Sequence, residues 1–322
     1  MSKLVRPITK DEIAAYNNDG CVHLRGILSI SAVNALRRSI DAAVETRDES
    51  QSAYDLTAIT KAVEAKDEYE LAAMSDGQHD ISAIMKYVKD SGKPLLLDKT
   101  EKAKGSFLLD TGIAARESGF RKFSLSGEAP EIAAALLNSD QIHFFGDQIF
   151  VKEPGTRERT AFHQDATYFE ITGDRCCVLW VPVDPVTLKG GTMQYWRGSH
   201  RSGKLYQPNV FITQTPLPGA KGEPLPDIEG NVDQYDIVYF EVEPGDVLVH
   251  HYRTVHGAGG NLSRYQVRRA ASIRYCGDDI RFETRSWAPK QLHHKTRLND
   301  GDKLSGPDFP VVWTRESHEH AA

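Results

Sequence analysis

The chain has 322 residues, a formal net charge of −6 at pH 7 and 40% hydrophobic residues. This length suits one large domain or two small ones, and the acidic balance gives no bulk basic surface for nucleic acid. No apolar run approaches the ~18 residues of a membrane span, and the first residues lack the long apolar core of a signal peptide. These properties indicate a soluble enzyme with no nucleic-acid or membrane partner.

The first part of the chain is predicted to be helical, to about residue 140. Thr9-Lys10-Asp11-Glu12 is a capping box, with Thr at the N-cap and Glu three residues later, and it opens a helix that ends near Gly20. Apolar residues at helical spacing and strand-type residues predict the next elements. These are a strand at 21–24 and helices at about 31–46, 81–88 and 128–138, with a charged helix or loop at 47–78.

From residue 141 the hydrophobic period changes to that of strands. Short β-branched and aromatic runs alternate with Pro and Gly, which indicates a β-sandwich or jelly roll. The polar stretch 204–236, rich in Pro and Gly, is predicted to be a long insertion between core strands, where lids and binding loops often lie. We expect one domain over residues 1–322, with a jelly-roll core at about 141–285 and a C-terminal extension at about 286–322.

Four cysteines, Cys21, Cys176, Cys177 and Cys276, show no Cys-x-x-Cys spacing. Adjacent Cys176 and Cys177 in an apolar run would point to opposite faces of a strand. Buried reduced thiols explain this pattern better than a disulfide or a thiolate metal site. The cysteines therefore predict a reducing, cytoplasmic compartment.

His163-Gln164-Asp165 is the motif with the clearest chemistry, and it gains its meaning from the distant His256. In an extended segment, residues two apart point to the same side, so His163 and Asp165 can bind one ion while Gln164 points away. Two imidazoles and one carboxylate form the facial triad of non-haem Fe(II) oxygenases, which leaves other positions open. A lone His-x-Asp is often a surface His beside a turn Asp, so the interpretation depends on the surrounding motifs.

Those surrounding motifs resemble the phytanoyl-CoA dioxygenase family of Fe(II)- and 2-oxoglutarate-dependent oxygenases. They fall in order across roughly residues 140–276. The motifs are Lys152-x-Pro154-Gly155, His163-Gln164-Asp165-x-x-Tyr168, Gly190-Gly191, Arg197-Gly198-Ser199-His200, Glu243-Pro244-Gly245-Asp246, His256-Gly257-Ala258-Gly259-x-Asn261 and Arg268-Arg269-Ala270. Two positions depart from the family pattern, since Phe162 stands where Trp is frequent and Ala258 where some members have Ser. Neither position is a metal ligand.

The resemblance implies a mostly β core with flanking helices, the double-stranded β-helix or jelly roll. It also implies that His163, Asp165 and His256 are the catalytic Fe(II) ligands and that 2-oxoglutarate and O2 are co-substrates. Arg268 is expected to bind the far carboxylate of 2-oxoglutarate, because a planar guanidinium makes two charge-assisted hydrogen bonds to it. Related halogenases replace the carboxylate ligand, so Asp165 favours hydroxylation or a related oxidation of a small organic substrate, with release of succinate and CO2.

Further residues are expected to contribute to binding. Gln148 and Lys152 share one face of a predicted strand and could reach the co-substrate or substrate, although a solvated face is equally compatible with the pattern. Trp180 matches an aromatic position that the family places near the co-substrate, and a core position explains it as well. Tyr168 and Phe169 are expected at the mouth of the substrate site.

Other charged residues near these motifs receive a different interpretation. Arg269 and Arg274 are interpreted as surface or strand-edge charges. His250 and His251 lie close to His256, but the metal is assigned to His256 because the Gly-Ala-Gly turn and the downstream Arg follow it at the family spacing.

Two other functions stay open from the sequence. A jelly-roll metalloenzyme that does not use 2-oxoglutarate could share the triad, but it would leave Arg268 without a task. A non-catalytic ligand-binding protein of this fold would not need all three metal ligands. The sequence decides neither the substrate, which could be an acyl-CoA, a natural product or another small metabolite, nor the type of oxidation. The oligomeric state is also open, and a homo-oligomer is compatible with the chain.

Overall fold

The computed structural model of the chain describes residues 4–50, 52–75, 80–100, 104–290 and 294–315. Most of the described helices precede the main strands. They are α1 (Lys10–Asp19), α2 (Ile30–Glu45), α3 (Leu56–Ala65), α4 (Glu68–Ala73), α5 (Ile81–Ser91), α6 (Ile113–Arg116), α7 (Ser118–Ser126) and α8 (Ala129–Leu137). The part of the C-terminal extension beyond residue 315 lies outside the described residues. No helix in the described ranges is both long and apolar enough to span a membrane.

The strands of the described residues run from near the N-terminus to the last described segment. They are β1 (Cys21–Leu24), β2 (Tyr54–Asp55), β3 (Phe107–Thr111), β4 (Gln141–Lys152), β5 (Thr160–His163), β6 (Ile171–Thr172), β7 (Cys176–Pro182), β8 (Met193–Trp196), β9 (Ile237–Tyr239), β10 (Val247–His251), β11 (His256–Ala258), β12 (Arg268–Cys276), β13 (Arg281–Phe282) and β14 (Val311–Thr314).

Two antiparallel sheets form the core. The larger sheet has the order β1-β10-β7-β12-β4-β3-β2, with β14 also paired to β4, and the smaller sheet has the order β5-β11-β8-β9. A separate pair of short strands, β6 and β13, lies beside them. Strands distant in the sequence are neighbours in each sheet, which is the arrangement of a jelly roll. The double-stranded β-helix predicted from the sequence is therefore confirmed.

The capping box predicted at Thr9 and the helix end predicted near Gly20 are both present. The Thr9 side chain accepts a hydrogen bond from the Glu12 backbone N–H, and the Glu12 carboxylate accepts one from the Thr9 backbone N–H. Gly20 ends α1 with a φ of 76°, and a Cβ there would collide with His200 and Thr254, so the position needs glycine. The charged stretch after α2 forms two helices, α3 and α4.

The larger sheet has one face toward helices and one toward the smaller sheet, because side chains alternate along each strand. Ile149 and Val151 of β4 join the same buried cluster as Ile273 of β12 and the apolar faces of α2, α7 and α8. The intervening residues of these strands, such as Gln148 and Arg268, point to the opposite face. Alternation therefore directs one set of side chains into the core and the other into the space between the sheets.

The segment 204–236 connects β8 to β9 within the smaller sheet, as the predicted insertion does. It is mostly irregular, with one short 3-10 turn at Val232–Gln234. Tyr206 and Ile228 pack with Phe162 of β5, and Ile212 packs with residues of α3 and α5. The insertion is therefore packed against β5 and against the helices α3 and α5.

Candidate metal centre

Three side chains from separate segments converge at the end of β5. His163 is the last residue of β5 and lies opposite His256, the first residue of β11. Asp165 starts the short 3-10 turn that follows β5. One ligand atom from each of the three residues lies within 4.8 Å of the others, and all three residues are buried. The structure therefore brings together the three residues that the sequence predicted as Fe(II) ligands.

The orientation of the two imidazoles fits a metal. His163 Nδ1 lies 2.8 Å from the carbonyl oxygen of Ala161, and His256 Nδ1 lies 2.9 Å from that of Thr254. A carbonyl can only accept, so each Nδ1 carries the proton and donates it. Each Nε2 is then left with a lone pair, and both Nε2 atoms face the Asp165 carboxylate at 3.6 and 3.9 Å. Histidine metal ligands are commonly held by such a bond from the other ring nitrogen.

The charge states of the cluster also suit a divalent cation. Burial lowers the pKa of His256 well below its ordinary value, and the nearby His250 and His163 lower it further, so this imidazole is neutral. Burial alone would raise the pKa of the Asp165 carboxyl, but the surrounding imidazoles of His256, His163 and His250 hold it well below its usual range. Two imidazoles beside one carboxylate are the donor set that Fe(II) takes in oxygenases.

His250 and His251 are placed by alternation along β10. His250 Nε2 lies 3.1 Å from Asp165 Oδ2, on the site side, where it holds the carboxylate rather than joining the three-ligand group. The His251 ring contacts the Asp174 carbonyl oxygen through Nε2 at 2.8 Å. The sequence left both as neighbours of His256 without a role, and the structure gives only His250 a contact with the cluster.

Arg268 lies at the far end of a small buried cavity that begins at the metal cluster. Only 3% of its surface is exposed, and burial lowers its pKa to about 10, so it stays charged at neutral pH. Nη2 donates to the Gly191 carbonyl oxygen at 2.9 Å, whereas Nε and Nη1 have no hydrogen-bond partner among the described residues. A buried guanidinium with two idle donors is costly on its own, so the site is suited to an anionic ligand.

Gly191, just before β8, contributes to the Arg268 site through its backbone. Gly191 has a φ of 79°, and a Cβ there would lie 2.7 and 2.8 Å from the carbonyl oxygens of Gly260 and Gly259. Only glycine permits this close approach, which positions the Gly191 carbonyl against Arg268. Gly191 of the Gly190-Gly191 motif therefore has a structural role, because its carbonyl oxygen accepts the hydrogen bond from Arg268.

The other three predicted binding residues, Trp180, Gln148 and Lys152, lie in different surroundings. Trp180 lies under the Arg268 guanidinium at 5.0 Å, and its Nε1 has no partner among the described residues. Gln148 lines the cavity between the metal cluster and Arg268. Lys152 is fully buried outside that lining, and its Nζ donates to the carbonyl oxygens of Glu158 and Gly259 at 2.9 and 2.7 Å. The structure therefore brings Trp180 and Gln148 to the cavity and gives the Lys152 ammonium a structural task.

Arg274 differs from its prediction. The sequence suggested a surface or strand-edge charge, but only 8% of Arg274 is exposed, and it lies on the same face of β12 as Arg268. Nη2 donates to Gln148 Oε1 at 2.6 Å. Arg269 points to the other face of β12, as expected, and its half-buried guanidinium pairs with Asp184. The interpretation of Arg274 was wrong because strict alternation from Arg268 places every second residue of β12 inside.

A larger apolar cavity opens on the other side of the metal cluster. His163 and Asp165 lie in its wall, together with Gln148 and Arg274. Most of the remaining lining is aliphatic or aromatic and comes from α3, α5 and the 204–236 insertion. These residues include Ile59, Ile81, Met85, Phe211, Ile212 and Leu217.

The aromatic residues that follow the triad lie beside the apolar cavity. Tyr168 and Phe169 line the apolar cavity, and the Tyr168 hydroxyl donates to the Asn209 carbonyl oxygen at 2.8 Å. Phe211 stacks on Phe150 at 6.0 Å and lies 5.4 Å from the His163 ring. Phe211 was missed from the sequence, because the insertion carries no motif that points to the metal.

A family model described as phytanoyl-CoA dioxygenase (PhyH) matches residues 16–270. The chain belongs to this family. Among curated relatives, it is 25% identical over 266 residues to a phytanoyl-CoA dioxygenase domain-containing protein 1 of Danio rerio, covering 80% of this chain and 86% of that protein. The family is thus that of the sequence resemblance, and the match spans the triad and Arg268.

Solved structures agree with the family at the level of the fold. The α-ketoglutarate-dependent carbocyclase SnoK from nogalamycin biosynthesis is 21% identical, with a TM-score of 0.62, and the match covers 97% of this chain and all of SnoK. The epimerase SnoN, solved with Fe3+, α-ketoglutarate and nogalamycin RO, is 18% identical with a TM-score of 0.60, covering 94% and 98% of the two chains. The protein is a non-haem iron, 2-oxoglutarate-dependent dioxygenase.

Proposed function

We propose that His163, Asp165 and His256 hold Fe(II), that Arg268 binds the far carboxylate of 2-oxoglutarate, and that the apolar cavity takes a small organic substrate. The enzyme would oxidise this substrate with O2 and release succinate and CO2. The observation that carries the proposal is the pair of imidazoles fixed through Nδ1, so that both Nε2 atoms face one ionised carboxylate. Bound there, Fe(II) supplies the redox chemistry by which O2 is activated as 2-oxoglutarate is decarboxylated.

The residues around the triad hold it in one geometry. His250 bonds to Asp165, so the carboxylate cannot turn freely away from the two imidazoles. Gln164 points away from the site, and its side-chain NH2 donates to the Arg253 carbonyl oxygen at 2.8 Å. Ligands held by such outer contacts bind metal more tightly than mobile ones.

The cavity between the triad and Arg268 fits a short dicarboxylate. One end carries the metal ligands, and the other carries the two unpartnered guanidinium nitrogens. Between them the walls include Trp180, Met193 and Phe150, which exclude water and strengthen an ion pair at Arg268. The far carboxylate of 2-oxoglutarate would accept hydrogen bonds from Nε and Nη1, which removes the cost of burying the charge.

The alternative functions are less well supported by this arrangement. A metalloenzyme that does not use 2-oxoglutarate would keep a buried, unpaired Arg268 at the end of a closed cavity with no counter-charge. A non-catalytic binding protein would not need both imidazoles oriented toward the carboxylate. Each feature has a task only when metal and dicarboxylate bind together.

The test is Fe(II)-dependent succinate formation from 2-oxoglutarate, measured by mass spectrometry with the purified protein and a broad panel of small molecules. His163→Ala should abolish both succinate formation and Fe(II) binding, because two ligands remain for a site built for three. His251→Gln is the matched control, since it removes a neighbouring imidazole that contacts a carbonyl outside the cluster. Absence of succinate under all conditions, with Fe(II) bound, would contradict the proposed use of 2-oxoglutarate.

A cytoplasmic location is also proposed. All four cysteines are buried and free, as expected for a protein that stays in a reducing compartment. Fractionation of cells that express the full chain would test this location.

A further inference from the structure

We propose that the substrate has an apolar body and one carboxylate, and that Arg274, held by Gln148, binds this carboxylate in the apolar cavity. This inference rests on the proposed function, because it places the substrate beside the proposed Fe(II) ligands. It names a second anion site in the protein, separate from the one at Arg268.

Arg274 is a buried cation with an incomplete set of partners. Its Nη1 donates to the Asp147 carbonyl oxygen at 3.3 Å, Nη2 donates to Gln148 Oε1 at 2.6 Å, and Nε has no partner among the described residues. The Asp147 carboxylate is occupied by the backbone N–H groups of Ile113 and Ala114, at 2.6 and 3.0 Å. No carboxylate in the described part of the chain forms an ion pair with Arg274, which leaves its charge for a ligand.

The position of Arg274 separates it from the co-substrate end. Arg268 and Arg274 lie six residues apart on one face of β12, so at about 3.3 Å per residue their Cα atoms are roughly 20 Å apart. Their backbone positions therefore lie toward opposite ends of the strand. Arg274 lies in the wall that the small cavity shares with the apolar cavity, near His163 and Asp165.

The charge on Arg274 favours an anionic group in the substrate, because no carboxylate of the described residues forms an ion pair with it. A buried unpaired charge is costly in an apolar environment, and an anionic substrate group offsets that cost. A planar carboxylate matches the planar edge of a guanidinium, which provides two parallel donors.

The apolar lining of the cavity indicates the character of the rest of the substrate. Beyond Arg274 and Gln148, the cavity wall consists mainly of apolar side chains such as Ile59, Met85 and Phe211. Burial of an apolar body there adds roughly 25 cal/mol for each Å² removed from water. With its carboxylate at Arg274 and its body against these residues, the substrate presents carbon atoms to the triad in the same wall.

The test uses matched pairs of carboxylic acids and their primary amides, with octanoic, dodecanoic, phenylacetic and indole-3-acetic acids as probes. Binding is measured by calorimetry on the full chain loaded with Mn(II) and 2-oxoglutarate, and turnover is measured as probe-stimulated succinate formation with Fe(II). We expect at least one acid to bind better than its amide. Arg274→Gln should reduce that acid-over-amide preference by about 10- to 100-fold, as expected for the loss of a charged hydrogen bond. Arg274→Lys should retain part of it.

Arg297→Gln is the control, because Arg297 is an exposed cation in an adjoining polar cavity that also includes Arg274. Its removal should leave the acid preference at the wild-type level. Three results would overturn the proposal. They are equal binding of acids and amides by the wild type, a larger loss in Arg297→Gln than in Arg274→Gln, and a rise in the 2-oxoglutarate requirement of the Arg274 variants with an intact acid preference.

A failure of the proposed function would give a different experimental result from a failure of the Arg274 proposal. Loss of Mn(II)-dependent 2-oxoglutarate binding in the wild type would contradict the proposed co-substrate site, whatever the acids do. Normal 2-oxoglutarate binding without acid preference would contradict only the role of Arg274. If Arg274→Gln does not fold, Arg274→Lys and the wild-type acid and amide pairs still decide the question.

Discussion

Replacement of Arg268 by methionine tests the co-substrate site most directly. Methionine keeps an apolar stem but lacks the guanidinium, so the substitution removes the charge together with the contact between Cζ and the Trp180 ring. Nε and Nη1 have no hydrogen-bond partner among the described residues, and in the proposed site they bind the far carboxylate of 2-oxoglutarate. Each hydrogen bond to a charged group contributes about 1.5–3 kcal/mol, so the loss of two is at least about 3 kcal/mol. The KM for 2-oxoglutarate should therefore rise roughly 100-fold.

The assay is succinate formation as a function of 2-oxoglutarate concentration, repeated with 2-oxopentanoate, which lacks the far carboxylate. The wild type should strongly prefer 2-oxoglutarate, and Arg268→Met should lose that preference. The stability of the variant should change little, because removal of a buried charge without an ion-pair partner among the described residues offsets the lost hydrogen bond to the Gly191 carbonyl oxygen.

Arg269→Gln is the matched control for this prediction. Arg269 is the next residue along β12, but its guanidinium pairs with Asp184 and Asp41 on the opposite face. We expect this variant to lose about 1–3 kcal/mol of unfolding free energy, since Asp184 stays buried with a weaker partner, and to keep the wild-type KM for 2-oxoglutarate. A wild-type KM in Arg268→Met would refute the assignment of Arg268 and the reasoning from its unpartnered nitrogens.

Three further predictions concern the metal ligands and the neighbouring buried groups. His256→Ala should abolish Fe(II) binding in calorimetry, as should His163→Ala, because each removes an Nε2 donor from the three-ligand group. His250→Phe should weaken Fe(II) binding by about 10- to 100-fold, because the Asp165 carboxylate loses the contact that orients it. Lys152→Met should lower the unfolding free energy in urea by about 1–3 kcal/mol, since two buried carbonyls lose their donor, and leave the KM for 2-oxoglutarate unchanged.

Each of these three predictions has an outcome that would contradict it. Stoichiometric Fe(II) in His256→Ala would place the metal elsewhere in the protein. Unchanged Fe(II) affinity in His250→Phe would mean that other contacts orient Asp165. A raised KM for 2-oxoglutarate in Lys152→Met, without a loss of stability, would return Lys152 to the co-substrate site as the sequence suggested.

The convergence of the triad could be predicted because two of its three residues are close together in the sequence. His163 and Asp165 are two residues apart, and the end of a strand directs both toward one point while Gln164 turns away. His256 could be assigned through the motif that follows it. Choosing between His256 and His250 by geometry alone required the pairing of β11 with β5, which places His256 opposite His163.

The interior position of Arg274 could have been suspected from its spacing to Arg268 on β12. The sequence does not show, however, which face of a strand is covered by helices and which faces a second sheet. That choice is made by α2, α7 and α8, which cover the alternate side chains of β4 and β12. The burial of the Lys152 ammonium could not be predicted either, because one of its carbonyl partners, Gly259, lies 107 residues away.

The family, the jelly-roll fold and the reaction class could be predicted from the residues alone, because these depend on short motifs whose chemistry needs particular residue types in order. What surrounds the proposed iron ligands depends on how the chain folds. The apolar cavity is assembled from α3, α5 and the 204–236 insertion, which are far apart along the chain and carry no shared motif. Whether a buried charge such as Arg274 has a partner depends on which remote segments pack against it, and packing is a property of the folded chain as a whole.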